Sequence, residues 1–516
     1  MKHYRTEMLT LWLSIVMVTL GSSSLTLAAS ESQSDMTVDD PSITVAIEEE
    51  YLFDNAVPYN DIDITTIDGI VNLEGTVNSL VAKRRATLIA ETVKGVRAVN
   101  NRIEVQTSDT LSADAMEDIV TTALLQDSAT ESYEIQVEAD DEGSITLTGS
   151  VDSWQEKRLA EIVTSSVAGV TEVNNLISID YKTERPDSEM QAEIERMLSW
   201  NILVDDSLIE VEVIDEDAKL SGVVGSLAEK RQATNLAWVA GIDSVDASGL
   251  TVERWARDED LRAGKYTPKT DEEIQHALND ALLFDPRVIS LTIEPEVNAG
   301  WVSLRGRVQT MRAKEAAESI ARNTVGVTGV SNLLKVRYDS PVDKREIEQT
   351  AKDKFSRDPW LSAESIHPVA RDGELRLTGV VSNLFEKARA ETLAHSINGV
   401  NRVENRIEVF DTESVVVYDP YIWSDYPLPW SYYSPGETVT AKVHADTPDD
   451  RITAKEIAEE LFWSPYVSLD DVTISVEDGV ATLIGSVDSR KEKDAATENA
   501  IEGGASAVIN ELTVDS

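Results

Sequence analysis

Six lysines recur at one fixed place in the sequence, each eight residues after a glycine. They are Lys83, Lys157, Lys230, Lys314, Lys387 and Lys493. Several stand beside a second basic residue, as in Lys83-Arg84, Lys157-Arg158 and Lys230-Arg231. Neighbouring ammonium and guanidinium groups can bind lipid phosphates or the carboxylates of an acidic partner. These side chains are therefore the first candidates for a binding function.

The position of these lysines has a cost. They lie near the predicted start of a helix, where a cation opposes the helix dipole by a few tenths of a kcal/mol up to about 1 kcal/mol. Because this unfavourable interaction with the helix dipole recurs in all six copies, we expect the positive charge of the lysine to have a function. The alternative is a lysine whose stem covers the core while its head meets acidic neighbours. A glutamate directly precedes the lysine at Glu156, Glu229, Glu386 and Glu492.

A second candidate is an aromatic and proline-rich insert at residues 411–450. The stretch from Tyr418 to Tyr433 contains seven aromatic residues, among them Trp423 and Trp430. The prolines within it forbid a continuous helix. Amphipathic rings suit a bilayer interface, a sugar or a partner groove. The alternative is a loop that folds back on its neighbours and buries the rings.

The composition opposes most enzyme classes. The chain has 516 residues, no cysteine and five scattered histidines, which excludes disulfides, thiol catalysis and zinc sites built from cysteine. Its carboxylates do not recur together with a histidine or a serine nucleophile. We therefore expect no catalytic residue, no cofactor and no metal.

The charge balance limits the choice of partner. Acidic residues number 94 against 46 basic ones, which gives a formal net charge of −48 at pH 7. Nucleic-acid-binding proteins carry basic surfaces that neutralise phosphates, so we expect no nucleic-acid partner. The acidic excess is typical of a well-solvated surface.

Residues 1–29 have the pattern of a secretory signal peptide. A short basic start precedes an apolar run from Met8 to Leu20, and small residues follow at Ala28 and Ala29. The run is shorter than the roughly 18 residues that span a bilayer. We expect cleavage after Ala28 or Ala29 and a soluble, exported protein, which in a bacterium with two membranes lies in the periplasm. The alternative is an uncleaved anchor.

The rest of the chain repeats one pattern six times, L-x-G-x-V-x5-K-x2-A. Its glycines are Gly75, Gly149, Gly222, Gly306, Gly379 and Gly485. Internal repeats of this kind indicate copies of one folding unit. We assign the leucine, glycine, valine and alanine to structure, because a glycine in a strand allows another backbone to approach and an alanine on the helix above permits that approach.

Repeat two shows the predicted secondary structure most clearly. Met116, Ile119, Val120 and Leu124 have helical spacing within residues 114–127. Residues 133–137 and 144–148 alternate as strands. Ser153 is a helix N-cap and Gly169 a left-handed C-cap, and residues 173–179 form the closing strand. Each unit is then α-β-β-α-β, an α+β fold with two helices on one face of a three-stranded sheet.

The predicted domains follow from this unit. The repeats occupy residues 38–106, 112–181, 187–253, 270–338, 342–410 and 451–515. Residues 254–269 form a linker with one packed tryptophan, which divides the array into two groups of three. Such a linker allows the groups to behave as separate bodies.

These residues resemble the BON domain family (bacterial OsmY and nodulation). Its features are Val71-Asn-Leu73-Glu-Gly75-Thr-Val77 together with Gly95-Val96-Arg-Ala-Val99-Asn-Asn101. Similar pairs recur in repeats two, four and five, whereas the second segment is weak in repeats three and six. The resemblance implies exported, non-enzymatic envelope proteins linked to osmotic or envelope stress. It also implies attachment to phospholipid membranes or to partner proteins.

Two functions are therefore expected. The first is weak, multivalent binding to envelope phospholipid, in which each basic residue near the membrane contributes about 1 kcal/mol and repetition supplies avidity. The alternative is a soluble periplasmic scaffold or stress protein that binds proteins and has no lipid affinity. Self-association is possible in either case.

Overall fold

The computed structural model describes residues 38–514 apart from short gaps. These are residues 55, 108–110, 128–129, 131–133, 182–184, 258–264, 266, 285–287, 289–292, 339–341, 411–438, 441–449, 465–466, 468–471 and 478. The predicted signal peptide lies outside the described residues, and so do Trp423 and Trp430 of the insert. Across the described ranges, no helix has both the length and the apolar character needed to cross a membrane.

The first three repeats follow one order of elements. Repeat one comprises α1 (Asp40–Phe53), β1 (Ile62–Ile67), β2 (Ile70–Val77), α2 (Leu80–Thr92), β3 (Ala98–Asn101) and β4 (Glu104–Val105). Repeat two comprises α3 (Ala113–Leu125), β5 (Gln136–Ala139), β6 (Ser144–Thr148), β7 (Ser150–Val151), α4 (Trp154–Ser165), β8 (Glu172–Asn175) and β9 (Ser178–Ile179). Repeat three comprises α5 (Asp187–Trp200), β10 (Ile209–Ile214), β11 (Asp217–Val224), α6 (Leu227–Leu236) and β12 (Ser244–Val252).

The last three repeats have the same order. Repeat four comprises α7 (Asp271–Phe284), β13 (Ile293–Asn298), β14 (Trp301–Val308), α8 (Met311–Arg322), β15 (Gly329–Asn332) and β16 (Lys335–Val336). Repeat five comprises α9 (Lys344–Arg357), β17 (Ile366–Arg371), β18 (Glu374–Val381), α10 (Leu384–His395) and β19 (Arg402–Val409). A short strand, β20 (Val439–Thr440), precedes repeat six, which comprises α11 (Asp450–Trp463), β21 (Val472–Glu477), β22 (Val480–Val487), α12 (Arg490–Glu502), β23 (Ala507–Asn510) and β24 (Thr513–Val514).

Each repeat builds one small mixed sheet. The first two strands form an antiparallel hairpin, as in β1 and β2. The last strand then pairs in parallel with the second, which therefore lies in the centre, as in β2 and β3. The α+β fold class and the α-β-β-α-β order predicted from the sequence are confirmed.

The recurring apolar residues form the cores. The six motif leucines and the six motif alanines are completely buried, from Leu73 and Ala86 in repeat one to Leu483 and Ala496 in repeat six. Repeats two and three have separate apolar clusters, centred on Val120 and Leu220. Repeats two and three therefore do not share one merged interior, whereas the apolar cluster of repeat one also includes Phe385 and Ala388 of repeat five.

The motif glycines have a different neighbour from the one expected. All six have φ between 120° and 144°, a region that disfavours residues with a Cβ. An added Cβ at Gly75 would overlap the carbonyl oxygen of Asp61, just before β1. The backbone that comes close thus belongs to the start of the adjacent strand. The expectation that the motif glycine allows close approach to the second helix is therefore wrong.

Element ends in repeat two also differ from the prediction. The strand expected at residues 133–137 is described at Gln136–Ala139, and the closing strand divides into β8 and β9. Gly169 does have a positive φ of 93°, but α4 ends earlier and its C-cap residue is Ser166 in the right-handed conformation. Gly169 therefore shapes the turn into β8, and its expected role as the helix C-cap is wrong.

The linker at residues 254–269 does not contain the expected packed tryptophan. Trp255 lies in a short 3-10 helix, Arg254–Arg257, and its side chain is 54% exposed. Lys265 instead attaches the linker to repeat three, because its Nζ donates to the carbonyl of Leu198 at 2.8 Å and contacts Asp206 at 3.1 Å. The charged end of a lysine anchors this segment.

Candidate functional site

The second helix of every repeat begins with the same cap. The N-cap side chain accepts a hydrogen bond from the N–H three residues later, at Ser79, Ser153, Ser226, Thr310, Asn383 and Ser489. Such caps satisfy backbone donors that the first helical turn leaves unpaired. They fix where the helix starts and hence where the motif lysine lies.

The glutamates that precede four of the lysines complete these caps. Glu156 accepts from the N–H of Asp152 at 2.8 Å, and Glu229 accepts from the N–H of Gly225 at 2.7 Å. Glu386 and Glu492 make the equivalent contacts. The arrangement is a variant of the capping box in which the carboxylate accepts from the N–H one residue before the N-cap. These carboxylates therefore bind backbone at the helix start, and the structure gives them a role other than the charge pairing with lysine that we considered.

The backbone of the motif lysine is tied to the last strand by an asparagine. In repeat two, Nδ2 of Asn175 donates to the carbonyl of Lys157 at 2.8 Å, while Oδ1 accepts from the N–H of Ile177 at 3.3 Å. The same donation to the lysine carbonyl recurs from Asn101, Asn332, Asn405 and Asn510. The asparagine therefore joins the break in the closing strand to the first turn of the second helix.

All six motif lysines are half-buried, and two of them use their ammonium groups within their own repeat. Nζ of Lys230 donates to the carbonyl of Leu250 at 2.7 Å, and Nζ of Lys493 donates to that of Leu512 at 2.5 Å. Burial lowers the pKa of both lysines below the usual value. For the other four, Lys83, Lys157, Lys314 and Lys387, no described carboxylate lies within ion-pair distance of Nζ.

In the first three repeats, the arginine after the lysine contacts a neighbouring repeat or the junction with it. Arg84 of repeat one pairs with Glu161 of repeat two, and Arg231 of repeat three pairs with Glu91 of repeat one. Arg158 lies 5.2 Å from the ring of Trp154. That ring stacks at 5.0 Å on Trp238 of repeat three.

Two of the last three repeats, four and six, use the same position with the opposite charge, whereas repeat five has the buried Ala388 there. Glu315 follows the lysine of repeat four and pairs with His395, near the end of the second helix of repeat five. Asp494 follows the lysine of repeat six and lies 3.9 Å from Arg322, at the end of the second helix of repeat four. The residue after the motif lysine is thus a charged contact between repeats in both groups, basic in the first group and acidic in repeats four and six of the second.

The two groups of three are joined to each other by backbone pairing. Asp127, just beyond the first helix of repeat two, bridges with Ile397, just beyond the second helix of repeat five. The reciprocal contact also forms, because the N–H of Ala168 donates to the carbonyl of Arg357 at 2.7 Å. The contact between repeats two and five therefore presents equivalent surfaces from both sides, as in a two-fold interface.

Two further pairs of repeats meet in a related way. Asn201 of repeat three bridges with Thr324 of repeat four, and the N–H of Val325 donates to the carbonyl of Trp200 at 2.9 Å. Between repeats one and six, Nζ of Lys94 donates to the carbonyl of Phe462 at 3.1 Å. The expectation that the two groups behave as separate bodies is therefore wrong.

A buried charge cluster lies where repeats two, four and five meet. The Asp127 carboxylate, 2% exposed, contacts Nη2 of Arg312 at 2.8 Å and Nζ of Lys354 at 3.2 Å. Lys354 also donates to Oγ of Ser396 at 2.9 Å. Burial lowers the pKa of Lys354 to about 8, an effect that Asp127 opposes and Arg312 reinforces.

The sequence reasoning found the lysines and arginines but missed their partners. Lys354 and His395 have no counterpart of the same type in the other repeats, so the repeat pattern does not mark them. An aspartate just past the first helix does recur, at Asp54 and Asp358 as well as at Asp127. The capping glutamates did have a signal, because Ser153 and Glu156 stand at the spacing of a capping box. The recurring asparagine, Asn101 in repeat one, belongs to the second conserved-looking segment of the repeat, but the sequence alone assigned it no role.

Comparison with known proteins agrees with the repeat boundaries seen in the fold. The BON domain profile matches residues 39–107, 112–181, 186–254, 270–338, 343–410 and 449–516. Osmotically-inducible protein Y of Escherichia coli (strain K12) is 30% identical over 153 residues, which are 28% of this chain and 74% of that protein. The 21 kDa hemolysin of Actinobacillus pleuropneumoniae is 30% identical over 108 residues, 20% of this chain and 55% of that protein.

A solved structure with some likeness is the C-terminal domain of CdsD, the structural protein of the Type III secretion system of Chlamydia trachomatis. It has 15% sequence identity, covers 42% of this chain and 100% of that chain, and gives a TM-score of 0.12. A likeness that weak supports no conclusion about the present protein. The six BON matches extend over well more than half of the residues, and with the relative from Escherichia coli they establish that the chain belongs to the BON domain family.

Proposed function

We propose that the protein is an exported, non-enzymatic interaction scaffold of the cell envelope that acts under osmotic or envelope stress. The signal-peptide pattern of residues 1–29 supports export to the periplasm. Similarity to a protein named for osmotic induction supports the stress setting. In this proposal the ligands are other proteins, and the six repeats form one preassembled body.

The observation that carries the proposal is the use of the residue that follows four of the six motif lysines. Arg84, Arg231, Glu315 and Asp494 all contact charged residues of a neighbouring repeat. A helix face that combines buried apolar residues with paired charges is the composition of a protein–protein contact. The BON repeats of this chain bind one another through these contacts, which supports the proposal that they also bind other proteins.

Lipid binding is the second candidate, and one observation favours it. The ammonium groups of Lys83, Lys157, Lys314 and Lys387 have no carboxylate within ion-pair distance among the residues that the structure covers. Two of these lysines belong to each group of three repeats. A flat membrane that meets one group would therefore gain about 2 kcal/mol from two lysines, and the net charge of −48 would oppose even that gain.

Flotation with phosphatidylglycerol vesicles separates the two candidates. The scaffold proposal predicts no flotation of the full-length protein at low or high salt. Binding that weakens with salt and is lost when Lys83, Lys157, Lys314 and Lys387 are replaced by alanine would instead establish the lipid function. The matched control replaces Lys219, Lys335, Lys344 and Lys455, which are exposed and lie outside the motif, and so removes the same charge.

Cross-linking in intact cells provides the positive test. We expect the protein to be joined to other envelope proteins, with an increase after hyperosmotic shock, as identified by mass spectrometry. Reversal of the charge at Arg84 or Arg231 should reduce these products only if it also disrupts the body, because both arginines are occupied internally. Cross-links confined to the chain itself would contradict a scaffold function.

A further inference from the structure

The outer faces of the sheets in repeats three and five are alike in size. Helices cover the other face of each sheet, so alternate strand residues point outward. In both repeats the closing strand is a single element, β12 or β19, whereas it divides in repeats one, two, four and six. The strands have 6, 8 and 9 residues in repeat three and 6, 8 and 8 residues in repeat five. The two faces therefore have nearly the same outline.

The outer face of repeat five is dominated by arginine. Its four arginines stand against three glutamates, Glu374, Glu404 and Glu408, of which Glu408 lies near the end of β19. The arginines are Arg371, Arg376, Arg402 and Arg406.

These arginines are only partly neutralised within the repeat. Glu374 is shared by Arg376 and Arg402, and Glu404 is shared by Arg376 and Arg406. The side chains of Arg402 and Arg406 are 71% and 62% exposed, whereas those of Glu374 and Glu404 are 34% and 23% exposed. The surface that a partner meets is therefore mainly guanidinium.

The outer face of repeat three carries the opposite charge. Its four carboxylates, all exposed, are those of Glu210, Glu212, Asp217 and Asp246. Lys219 lies in the centre, opposite Glu212 on one side and Asp246 on the other. The carboxylates therefore surround one lysine and leave the face acidic.

We propose that the arginine face of repeat five docks on the acidic face of repeat three in a second copy of the chain. Guanidinium groups bind carboxylates through two parallel hydrogen bonds, a geometry that lysine does not offer. Exposed apolar residues add contact area, with Val369, Val380 and Phe410 on one face and Ile214 on the other. This contact assembles copies of the protein and does not depend on the other protein partners proposed above.

The size of the faces and the salt concentration set the strength of this contact. A face of three strands with about eight residues each covers roughly 26 Å by 14 Å. Docking of two such faces removes about 700 Å² from solvent, at the low end of protein interfaces, so we expect weak association. At 0.15 M salt the Debye length is about 8 Å, which screens most of the repulsion between charges outside the contact.

Sedimentation of the full-length protein tests the proposal. In 0.15 M salt, the weight-average mass of the wild type should increase with protein concentration over about 1 to 200 µM. Arg402→Glu/Arg406→Glu makes the face of repeat five acidic, and Glu212→Lys/Asp246→Lys makes the face of repeat three basic. Each variant then sets like charges against each other in its own pairs, which should lower the association constant at least about tenfold.

An equimolar mixture of the two variants is the decisive sample. Both pairings between unlike copies again set opposite charges against each other, so the mixture should regain association to within about threefold of the wild type. The matched control Glu138→Lys/Glu172→Lys makes the same charge change on the exposed outer face of repeat two and should leave association unchanged.

Three results would overturn the proposal. A wild-type mass that does not change with concentration would show that copies do not associate. Variants that associate as the wild type does, or a mixture that fails to regain association, would place the contact on other surfaces. Phosphatidylglycerol vesicles that bind the wild type but not Arg402→Glu/Arg406→Glu, with no association in solution, would assign the arginine face to lipid.

Discussion

The ammonium of Lys354 lies 3.2 Å from the carboxylate of Asp127, although the two residues belong to repeats five and two. Arg312 of repeat four binds the same carboxylate at 2.8 Å. One buried aspartate therefore holds together three repeats that are far apart in the sequence. The array of small domains behaves as one body because such contacts bury charge between its units.

The first prediction concerns this aspartate. Asp127→Asn leaves two cations without their counter-charge in the interior, which should lower the free energy of unfolding by about 3–5 kcal/mol. Urea unfolding followed by circular dichroism measures the change. The control is Glu74→Gln, whose ion pair with Arg102 is exposed on both sides and should contribute less than about 1 kcal/mol. Similar losses in both variants would contradict the role given to Asp127.

The second prediction is a pH dependence at the contact between repeats four and five. Burial alone would lower the pKa of His395, but Glu315 and Glu391 outweigh burial and the opposing Lys314, so the pKa is raised. A raised pKa in the folded state means that the stabilisation is complete below the unfolded value of 6.5 and disappears as the pH rises through the folded value.

We therefore expect the wild type to exceed His395→Gln in stability by the largest margin below pH 6.5. Urea midpoints at a series of pH values from about 5 to 9 give this margin. His276→Gln serves as the control, because that side chain is 79% exposed and its contact with Asp280 lies within one helix and not between repeats. A margin independent of pH would exclude the imidazolium as the source of the stabilisation.

The third prediction uses the charge pair between repeats three and one. Arg231→Glu places a like charge beside Glu91 in a contact where both side chains are only 17% exposed. We expect a loss of about 2–5 kcal/mol. The double variant Arg231→Glu/Glu91→Arg should recover a large part of that loss, and urea unfolding of the full cycle gives the coupling energy. Additive single effects would show that the two residues do not interact.

The fourth prediction concerns the asparagine beneath the motif lysine. Asn175→Ala removes the hydrogen bonds to Lys157 and Ile177 and should destabilise repeat two by about 1–3 kcal/mol. Hydrogen exchange read for peptides of residues 144–179 localises the effect. Asn174→Ala is the matched control, because this neighbour is exposed. Equal exchange in the two variants would contradict the structural role.

The internal order of each repeat was predictable because the same physical demands recur in every copy. Leu147 and Ala160 must be buried, and the glycine must adopt a positive φ, so these types repeat. Element ends were less accurate, because the sequence of repeat two does not mark where β8 ends and β9 begins.

The contacts between repeats were not predictable from the pattern. The end of the first helix carries Trp200 in repeat three and Arg357 in repeat five, and the equivalent place in repeat two is followed by Asp127. The contacts of Trp200 and Arg357 are made by their backbone carbonyls, which any residue type supplies, so no residue type marks this position in the sequence. The charge of the residue after the motif lysine changes from positive at Arg84 and Arg231 to negative at Glu315 and Asp494. This change is explained only by the neighbouring repeats that these residues contact.

The contact of Lys94 with Phe462 joins the first repeat to the last. Val38 and Trp463 also pack against the cores of both of these repeats. An open solenoid has two terminal units with bare flanks and can lengthen by duplication of one unit. Repeats one and six occupy each other's flanks, so loss of either unit would expose to water the apolar surface that Val38 and Trp463 now cover.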